Sequence, residues 1–272
     1  MNQLFKPCKK IVFNHMHKLL FLVTLSWSAA LAQPANYSTA NAHSHNDYKQ
    51  TAPFFSAYYA RFGSMEVDVF LEKDDILVAH TKADLPQHRT LEDLYLKPLQ
   101  AFIQNNRGHV YADSTRKLLM MLDIKTDAPS TLNKLIVLLQ KYPQLVKSKS
   151  LTIVITGNTP DPSTFNSYPS YIWFTGLLSE QYAKEAMARI AILQDNFLNY
   201  SKWKGEGHPP AKDWAKVRSA VIRAHALKKP VRFWNTPDFM DAWGHLTELG
   251  VDYINTDSIR SLASFLKSLA KN

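Results

Sequence analysis

The stretch MEVDVFLEKDDILVAH, residues 65–80, contains two runs of β-type residues joined by a charged turn with two aspartates. Alternate residues of a strand face the same side, so Glu66 and Asp68 share one face and the apolar residues the other. The turn has the spacing of a hairpin. The second run is therefore predicted to fold back and bring His80 to the same end of the sheet as the two carboxylates.

Two carboxylates about 6–7 Å apart on a buried face of one strand repel each other unless a cation neutralises them. A cluster of carboxylate oxygens favours a hard divalent ion, Mg²⁺ or Ca²⁺. Asp123, at the end of the run Leu118–Ile124, is the expected third ligand of Glu66 and Asp68. The alternatives are a solvated strand edge, or compensation by Lys125 without any ion.

Short apolar β-type runs alternate with helical patterns through the rest of the chain, which predicts a (β/α)8 TIM barrel. An open doubly wound sheet is the alternative, but the chain lacks its glycine-rich phosphate turn GxGxxG. The predicted strands are Ala42–His45, Met65–Leu71, Leu118–Ile124, Leu151–Thr156, Tyr171–Thr175, Ile190–Leu193, Val231–Trp234 and Tyr253–Asn255. The predicted helices are Thr90–Asn105, Ser130–Gln140, Ser179–Arg189, Ala211–Leu227, Pro237–Leu249 and Ser258–Ala270.

In a barrel, polar side chains at the carboxyl ends of the strands form the reaction site. The segment NAHSHNDY, residues 41–48, ends the first predicted strand and places His43 and His45 on one side of it. From these residues alone, three alternatives are open: the two histidines hold a metal, do acid–base chemistry, or do neither. His80 follows an apolar strand and is expected near the carboxylate cluster, whereas His88, His109, His208, His225 and His245 have no such context.

Residues 1–32 are predicted to form a secretory signal peptide. Lysines precede an apolar run at 19–32 that is shorter than the roughly 20 residues of a membrane span and ends in Ala-Leu-Ala. Met16 is an alternative start. The remaining residues, 33–272, are predicted to form one barrel domain that is secreted or periplasmic, without a stable membrane span.

The predicted mature chain has no cysteine, because Cys8 is the only one. Disulfides, thiol nucleophiles and cysteine metal sites are thereby excluded from it. Removing four lysines with residues 1–32 leaves 28 basic and 23 acidic residues, a net charge of +5. The basic residues are scattered, so nucleic-acid binding is not expected, whereas a small anionic substrate suits the mild positive charge. No protein partner is predicted.

The motifs together resemble the glycerophosphodiester phosphodiesterases of the phospholipase-C-like superfamily. In that family a first-strand histidine precedes E-x-D-V, and a second histidine ends a following V-x-H. The chain matches these with His45, with MEVDV and with LVAH, and it matches an acidic-x-Lys motif with Asp123-Ile124-Lys125. The segments VRFWNTPD and GVDYINTD match the family's late strands. The chain resembles a divergent, exported branch with HSHNDY at the first strand.

The resemblance implies a TIM barrel that hydrolyses a phosphoric diester with one divalent cation, Ca²⁺ or Mg²⁺. It assigns acid–base catalysis to His45 and His80. The implied metal ligands are Glu66, Asp68 and Asp123, and the implied substrate-binding residues are Asn46, Lys125 and Trp234. The substrate would be a glycerophosphodiester, a phosphoinositide or a related diester of lipid metabolism.

The chain departs from the family at two of these positions. Asn46 stands where relatives carry an arginine that grips the phosphate, so Asn46 or Lys125 must take its place. Asp123 stands where glutamate is more usual. Water or a neighbouring substrate hydroxyl could be the attacking group, giving hydrolysis or a cyclic phosphate.

Two other functions remain open at this stage. His-x-His at the end of a first barrel strand also begins the zinc site of amidohydrolases, in which His43 and His45 would be ligands and Asp257 the last one. The second is a non-enzymatic barrel that binds a phosphorylated ligand. In the preferred interpretation, His45 does acid–base chemistry and His43 is its structural neighbour.

Overall fold

The computed structural model describes residue 34 and residues 36–269. The predicted signal peptide, with Cys8 and Met16, lies outside these described residues. Within them, every helix is too short or too polar to cross a lipid bilayer.

Nine strands in the described part of the chain form one sheet. Eight of them run parallel in the spatial order β8-β7-β6-β5-β4-β2-β1-β9, and a parallel bridge between Arg232 and Tyr253 joins the two ends. The sheet is therefore a nearly closed barrel, as predicted, and the doubly wound alternative is wrong. The strands are β1 (Ala42–Ser44), β2 (Ser64–Glu72), β3 (Asp75–Val78), β4 (Leu118–Ile124), β5 (Leu151–Gly157), β6 (Ile172–Leu177), β7 (Ile190–Asn196), β8 (Val231–Trp234) and β9 (Ile254–Thr256).

Helices pack around the barrel. The bounds of the predicted helices agree closely with the observed ones except in one segment. Thr90 begins the second helical segment as predicted, because its hydroxyl accepts a hydrogen bond from the N–H of Asp93 at 3.0 Å. One π-helical turn, Glu92–Leu96, precedes α2. The helices are α1 (Phe55–Tyr59), α2 (Lys97–Asn105), α3 (Ala128–Gln140), α4 (Pro143–Lys147), α5 (Lys184–Met187), α6 (Ala211–Ala226), α7 (Met240–Glu248) and α8 (Ile259–Leu269).

The predicted helix Ser179–Arg189 is wrong over most of its length, since only α5 is helical. The phenol of Tyr182 turns back to the end of β6, where it accepts a hydrogen bond from the N–H of Leu177 at 2.8 Å. It also donates to the carboxylate of Glu180 at 2.9 Å. These bonds hold residues 178–183 as a turn. The segment therefore does not form a helix, although its apolar residues have helical spacing.

The hairpin predicted from the acidic turn is present. β3 pairs antiparallel with β2, and Val78 lies opposite Val69. Because β3 runs back along β2, His80 returns to the level of Asp68. The local sequence thus brings a histidine to a carboxylate twelve residues earlier.

Inside the barrel, the side chains change from apolar to polar towards the carboxyl ends of the strands. Side chains from β4, β5 and β7, with Trp173 of β6 packed against them, form a small separate apolar core inside the barrel. Two residues further along each strand, the side chain on the same face is polar. The apolar-to-polar pairs are Met121 and Asp123, Val154 and Thr156, Trp173 and Thr175, and Ile192 and Gln194. The chain therefore builds a polar chamber at the carboxyl ends of the strands.

Candidate active site

One cavity of about 760 Å³ opens at the carboxyl ends of the strands. Every residue that the sequence predicted for the site lines it, although these residues span nearly two hundred positions of the chain. The eight residues are His45, Asn46, Glu66, Asp68, His80, Asp123, Lys125 and Trp234. The structure therefore brings all eight residues together in one cavity, and their roles remain predictions that the geometry below supports.

Glu66 is buried and held by two partners. Its Oε2 accepts a hydrogen bond from Nη2 of Arg232 at 2.7 Å and lies 3.0 Å from Nε2 of His43. Burial alone would raise the pKa of Glu66, but the charge of Arg232 and the hydrogen bond from His43 outweigh burial and lower it. Glu66 is therefore ionised at neutral pH, with Oε1 as the oxygen left for a cation.

His43 is completely buried beneath Glu66. Its Nδ1 lies 2.7 Å from the hydroxyl of Ser64, and its Nε2 faces Glu66. Burial, with the nearby charge of Arg232, lowers the pKa of His43 to about 3, so the ring is neutral at pH 7. Both ring nitrogens are thus engaged, which fits the predicted structural role and gives no support to a zinc site made by His43 and His45 together.

Tyr48 connects three groups of the site. Its hydroxyl lies 2.8 Å from Oδ2 of Asp68, 2.8 Å from Oδ1 of Asn46 and 3.0 Å from Nδ1 of His80. Burial and the charge of Asp68 raise the pKa of Tyr48, so the phenol stays protonated. The sequence analysis gave Tyr48 no role, and its place directly after the HSHND motif was the available signal.

His45 is joined to this connection through Asn46, whose Nδ2 lies 3.1 Å from Nδ1 of His45. Its Nδ1 is 2.9 Å from Oδ1 of Asp257, which follows β9. About a quarter of the His45 side chain and half of the His80 side chain remain accessible to solvent. Each histidine therefore has a carboxylate neighbour that orients its ring and an exposed edge that faces the cavity.

Lys125 pairs with two of the three acids. Its Nζ is 2.8 Å from Oδ2 of Asp123 and 3.3 Å from Oδ2 of Asp68. Burial would lower the pKa of Lys125, but these two carboxylates outweigh burial and raise it. Lys125 is therefore a fixed cation of the site. It does not compensate Glu66, whose charge is matched by Arg232, a residue that the sequence analysis missed.

Comparison with known proteins identifies the family. A family model described as the AIM6-like phosphodiesterase domain matches residues 35–174, which is just over half of the chain. The chain belongs to the AIM6-like phosphodiesterase family. A second model, of the glycerophosphoryl diester phosphodiesterase family, matches residues 230–258.

Named relatives of this family member include altered inheritance of mitochondria protein 6 from Eremothecium gossypii, 24% identical over 82% of this chain and 68% of the relative. A homologue from Arthroderma benhamiae is 24% identical over 82% of both chains. Among solved structures, a glycerophosphodiester phosphodiesterase from Parabacteroides distasonis has a TM-score of 0.55 at 14% identity, covering 86% of this chain and all of that one. An Oleispira antarctica phosphodiesterase in complex with the product sn-glycerol-3-phosphate has a TM-score of 0.50 at 12% identity, covering 86% and 97%.

The acidic residues of this AIM6-like domain fit a divalent cation. Ligand oxygens of Glu66, Asp68 and Asp123 all lie within 4.8 Å of one another. Each carboxylate uses one oxygen for Arg232, Tyr48 or Lys125, so a second oxygen remains. Oδ1 of Asp123 is buried and, among the described residues, has no hydrogen-bond partner. A buried carboxylate oxygen without a partner is costly, and a cation would satisfy it.

Gly157 makes room for that carboxylate. A Cβ at this position would lie 1.9 Å from Oδ1 of Asp123, and its φ of +71° favours glycine. The end of β5 is thus shaped around the acid on β4. Together these features allow the three acids to hold one divalent ion.

The affinity for a divalent ion is expected to fall about tenfold between pH 7 and pH 5. Burial, with the charges of Glu66 and Asp68, raises the pKa of Asp123 from 3.8 to about 6. Below that pH a proton competes with the cation for the carboxylate. Calorimetric titration with CaCl₂ and MgCl₂ at both pH values measures the effect, and equal affinities would contradict it.

The stability of the metal-free protein has the opposite pH dependence at this residue. Asp123 ionises less readily in the fold than in the unfolded chain, so its contribution becomes less favourable as the pH rises from about 4 to 6. Asp123→Asn serves as the control for the affinity measurement. It removes the titrating group, so the tenfold change in affinity between pH 7 and pH 5 should disappear.

Proposed function

We propose that the protein cleaves phosphoric diesters by acid–base catalysis with one divalent cation, Ca²⁺ or Mg²⁺. The observation that carries this proposal is the meeting of His45, His80 and the acidic cluster in one cavity. Membership of a phosphodiesterase family supports the same reaction class.

The residues suit the difficulties of the reaction. A phosphodiester is anionic and has a poor alkoxide leaving group. A bound divalent ion would offset the phosphate charge and orient the ester. One of His45 and His80 would take the proton of the attacking hydroxyl, and the other would protonate the leaving oxygen. Lys125 and Asn46 would contact the phosphate, and Trp234 would pack against the alcohol substituent.

The charges at the centre of the cavity favour a diester over a monoester. Glu66, Asp68 and Asp123 carry three negative charges, against one positive charge each on Arg232 and Lys125. One divalent ion would change the net charge of this group from −1 to +1. That charge is neutralised by the single negative charge of a diester and would be exceeded by a phosphate monoester dianion.

The proposed substrates are glycerophosphodiesters, phosphoinositides or related diesters. The Oleispira antarctica phosphodiesterase with the same fold holds sn-glycerol-3-phosphate, a product of such a reaction. Accordingly, the expected partner of the cavity is a small phosphodiester or the head group of a lipid. A water molecule or a substrate hydroxyl would attack.

Turnover of bis(p-nitrophenyl) phosphate and of a panel of glycerophosphodiesters is the direct test. We expect cleavage that requires Ca²⁺ or Mg²⁺ and is lost in Asp68→Asn. Zinc-dependent activity that disappears on replacing His43 would instead support the amidohydrolase alternative. Binding of phosphate esters without any turnover across the panel would support a non-enzymatic barrel.

A further inference from the structure

A neutral polar group stands in the cavity wall away from the two histidines. It consists of Thr156 on β5, Thr175 on β6 and Gln194 on β7, all at least nine-tenths buried. All three line the cavity. Neither the proposed cation site nor the acid–base step uses them, so the amide–threonine group needs another explanation.

The hydrogen bonds within the amide–threonine group leave one buried acceptor atom of the group unpaired. Nε2 of Gln194 donates to Oγ1 of Thr156 at 2.7 Å, and the hydroxyl of Thr175 donates to the same oxygen at 3.1 Å. Oε1 of Gln194 is buried and has no partner within the described ranges 34 and 36–269. An unpaired buried acceptor is destabilising, and a ligand that donates a hydrogen bond to it would offset that cost.

The hydrogen bond between Gln194 and Thr156 can reverse if the amide oxygen and nitrogen of Gln194 exchange positions. If the amide of Gln194 turns over, its oxygen accepts from Thr156 and its N–H₂ becomes the unpaired end. The group therefore offers an acceptor in one arrangement and a donor in the other. A hydroxyl can be both donor and acceptor, whereas an ammonium group or a carboxylate would need a fixed opposite charge.

The position of the group fits an alcohol attached to the phosphate. Thr156 lies beside Asp123 in the register of β5 and β4. Neighbouring strands are about 4.8 Å apart, so Thr156 is one spacing from the cation site and Thr175 is two. A chain of two or three carbon atoms with an oxygen at each end spans the single spacing to Thr156, to which Gln194 is hydrogen-bonded. Leu177 and Trp234 line the same cavity and would cover the carbons.

We infer that Gln194, with Thr156 and Thr175, binds a free hydroxyl of the substrate's alcohol substituent and so determines specificity for hydroxylated alcohols. The inference rests on the proposed phosphodiesterase function. A site built around hydrogen bonds to a hydroxyl discriminates against the analogue that lacks it, because the buried polar groups are then left unpaired.

Two synthetic substrates with the same leaving group test the inference. They are p-nitrophenyl 2,3-dihydroxypropyl phosphate and p-nitrophenyl propyl phosphate, which differ only in their hydroxyls. We expect the wild-type protein to prefer the dihydroxypropyl ester in kcat/KM. Gln194→Leu should reduce the ratio of the two kcat/KM values by about tenfold, the loss expected for one hydrogen bond in a buried site. A ratio that stays unchanged would overturn the inference.

Three further variants control for indirect effects. Gln104→Leu makes the same replacement at an exposed position of α2 and should keep the wild-type ratio. Thr175→Val should lower the ratio and Thr175→Ser, which retains the hydroxyl, should restore it. If Gln194→Leu fails to fold, the two Thr175 variants decide the question. Equal ratios in Thr175→Val and the wild-type protein would then refute the inference.

A binding measurement separates this inference from the proposed function. If the wild-type protein cleaves neither ester, the proposed function fails, but calorimetry with glycerol phosphate and propyl phosphate still tests the pocket. Glycerol phosphate should bind about tenfold more tightly, and Gln194→Leu should remove the difference. Equal affinity of the wild-type protein for the two ligands would overturn the inference.

Discussion

Replacing His80 by alanine is expected to lower kcat for phosphodiester cleavage by about 10²–10⁴-fold, the contribution of one positioned proton-transfer group. Nδ1 of His80 is fixed 3.0 Å from the hydroxyl of Tyr48 and 3.5 Å from Asp68. Half of the side chain is exposed, so its other edge is available to a substrate. His45→Ala should cause a loss of similar size, because Asp257 orients that ring in the same way.

Leaving-group dependence then separates the two roles. A p-nitrophenolate ion departs without a proton, whereas an alkoxide needs one. The histidine whose loss matters much less for p-nitrophenyl esters than for alkyl esters is the general acid, and the other is the base. Steady-state rates of both variants on both ester types supply this comparison. On alkyl esters, which need both proton transfers, the double variant should lose little more than either single variant, since the pair acts as a unit.

His88→Ala is the matched control. His88 is exposed and lies 3.7 Å from the equally exposed Asp75, outside the cavity. It should leave kcat and KM at their wild-type values. Wild-type turnover in both His45→Ala and His80→Ala would refute the assignment of the acid–base pair, whatever the activity of the protein.

The acidic cluster and His80 could be predicted from sequence because local rules place them. Alternation in a strand puts Glu66 and Asp68 on one face, and a tight turn sends β3 back along β2. The equivalent positions at the ends of the other strands follow once the barrel is recognised. Prediction was therefore accurate where a few neighbouring residues decide the geometry.

Arg232 and Tyr48 show where such rules end. Arg232 sits in the four-residue strand VRFW, and its partner Glu66 is 166 residues away. A charged residue in a short strand is typical of an edge strand, where the side chain is exposed. Here the closed barrel places the side chain of Arg232 in the interior. Tyr48 meets Asp68 and His80 across loops whose course no periodic pattern predicts. A lone arginine in an otherwise apolar strand of a parallel barrel is the signal that could have pointed to the buried pair.

Arg232→Met is expected to lower the free energy of unfolding of the metal-free protein by about 3–5 kcal/mol, the usual cost of leaving a buried charge without its partner. Glu66 is buried, and its other neighbour, His43, is neutral at pH 7. Arg232 therefore supplies the only full positive charge in contact with Glu66 among the described residues. Methionine keeps most of the side-chain volume, so the loss should come from charge more than from packing.

A double-mutant cycle isolates that charge. In Glu66→Gln the carboxylate is gone, so adding Arg232→Met should cost far less than it does in the wild-type protein, as measured by urea unfolding without divalent ions. Additive losses would show that Arg232 acts through its bonds to Asn255 and Met121 instead. Divalent ions supply a further check. Because a bound cation would replace the missing positive charge, Ca²⁺ or Mg²⁺ should raise the melting temperature of Arg232→Met more than that of the wild-type protein.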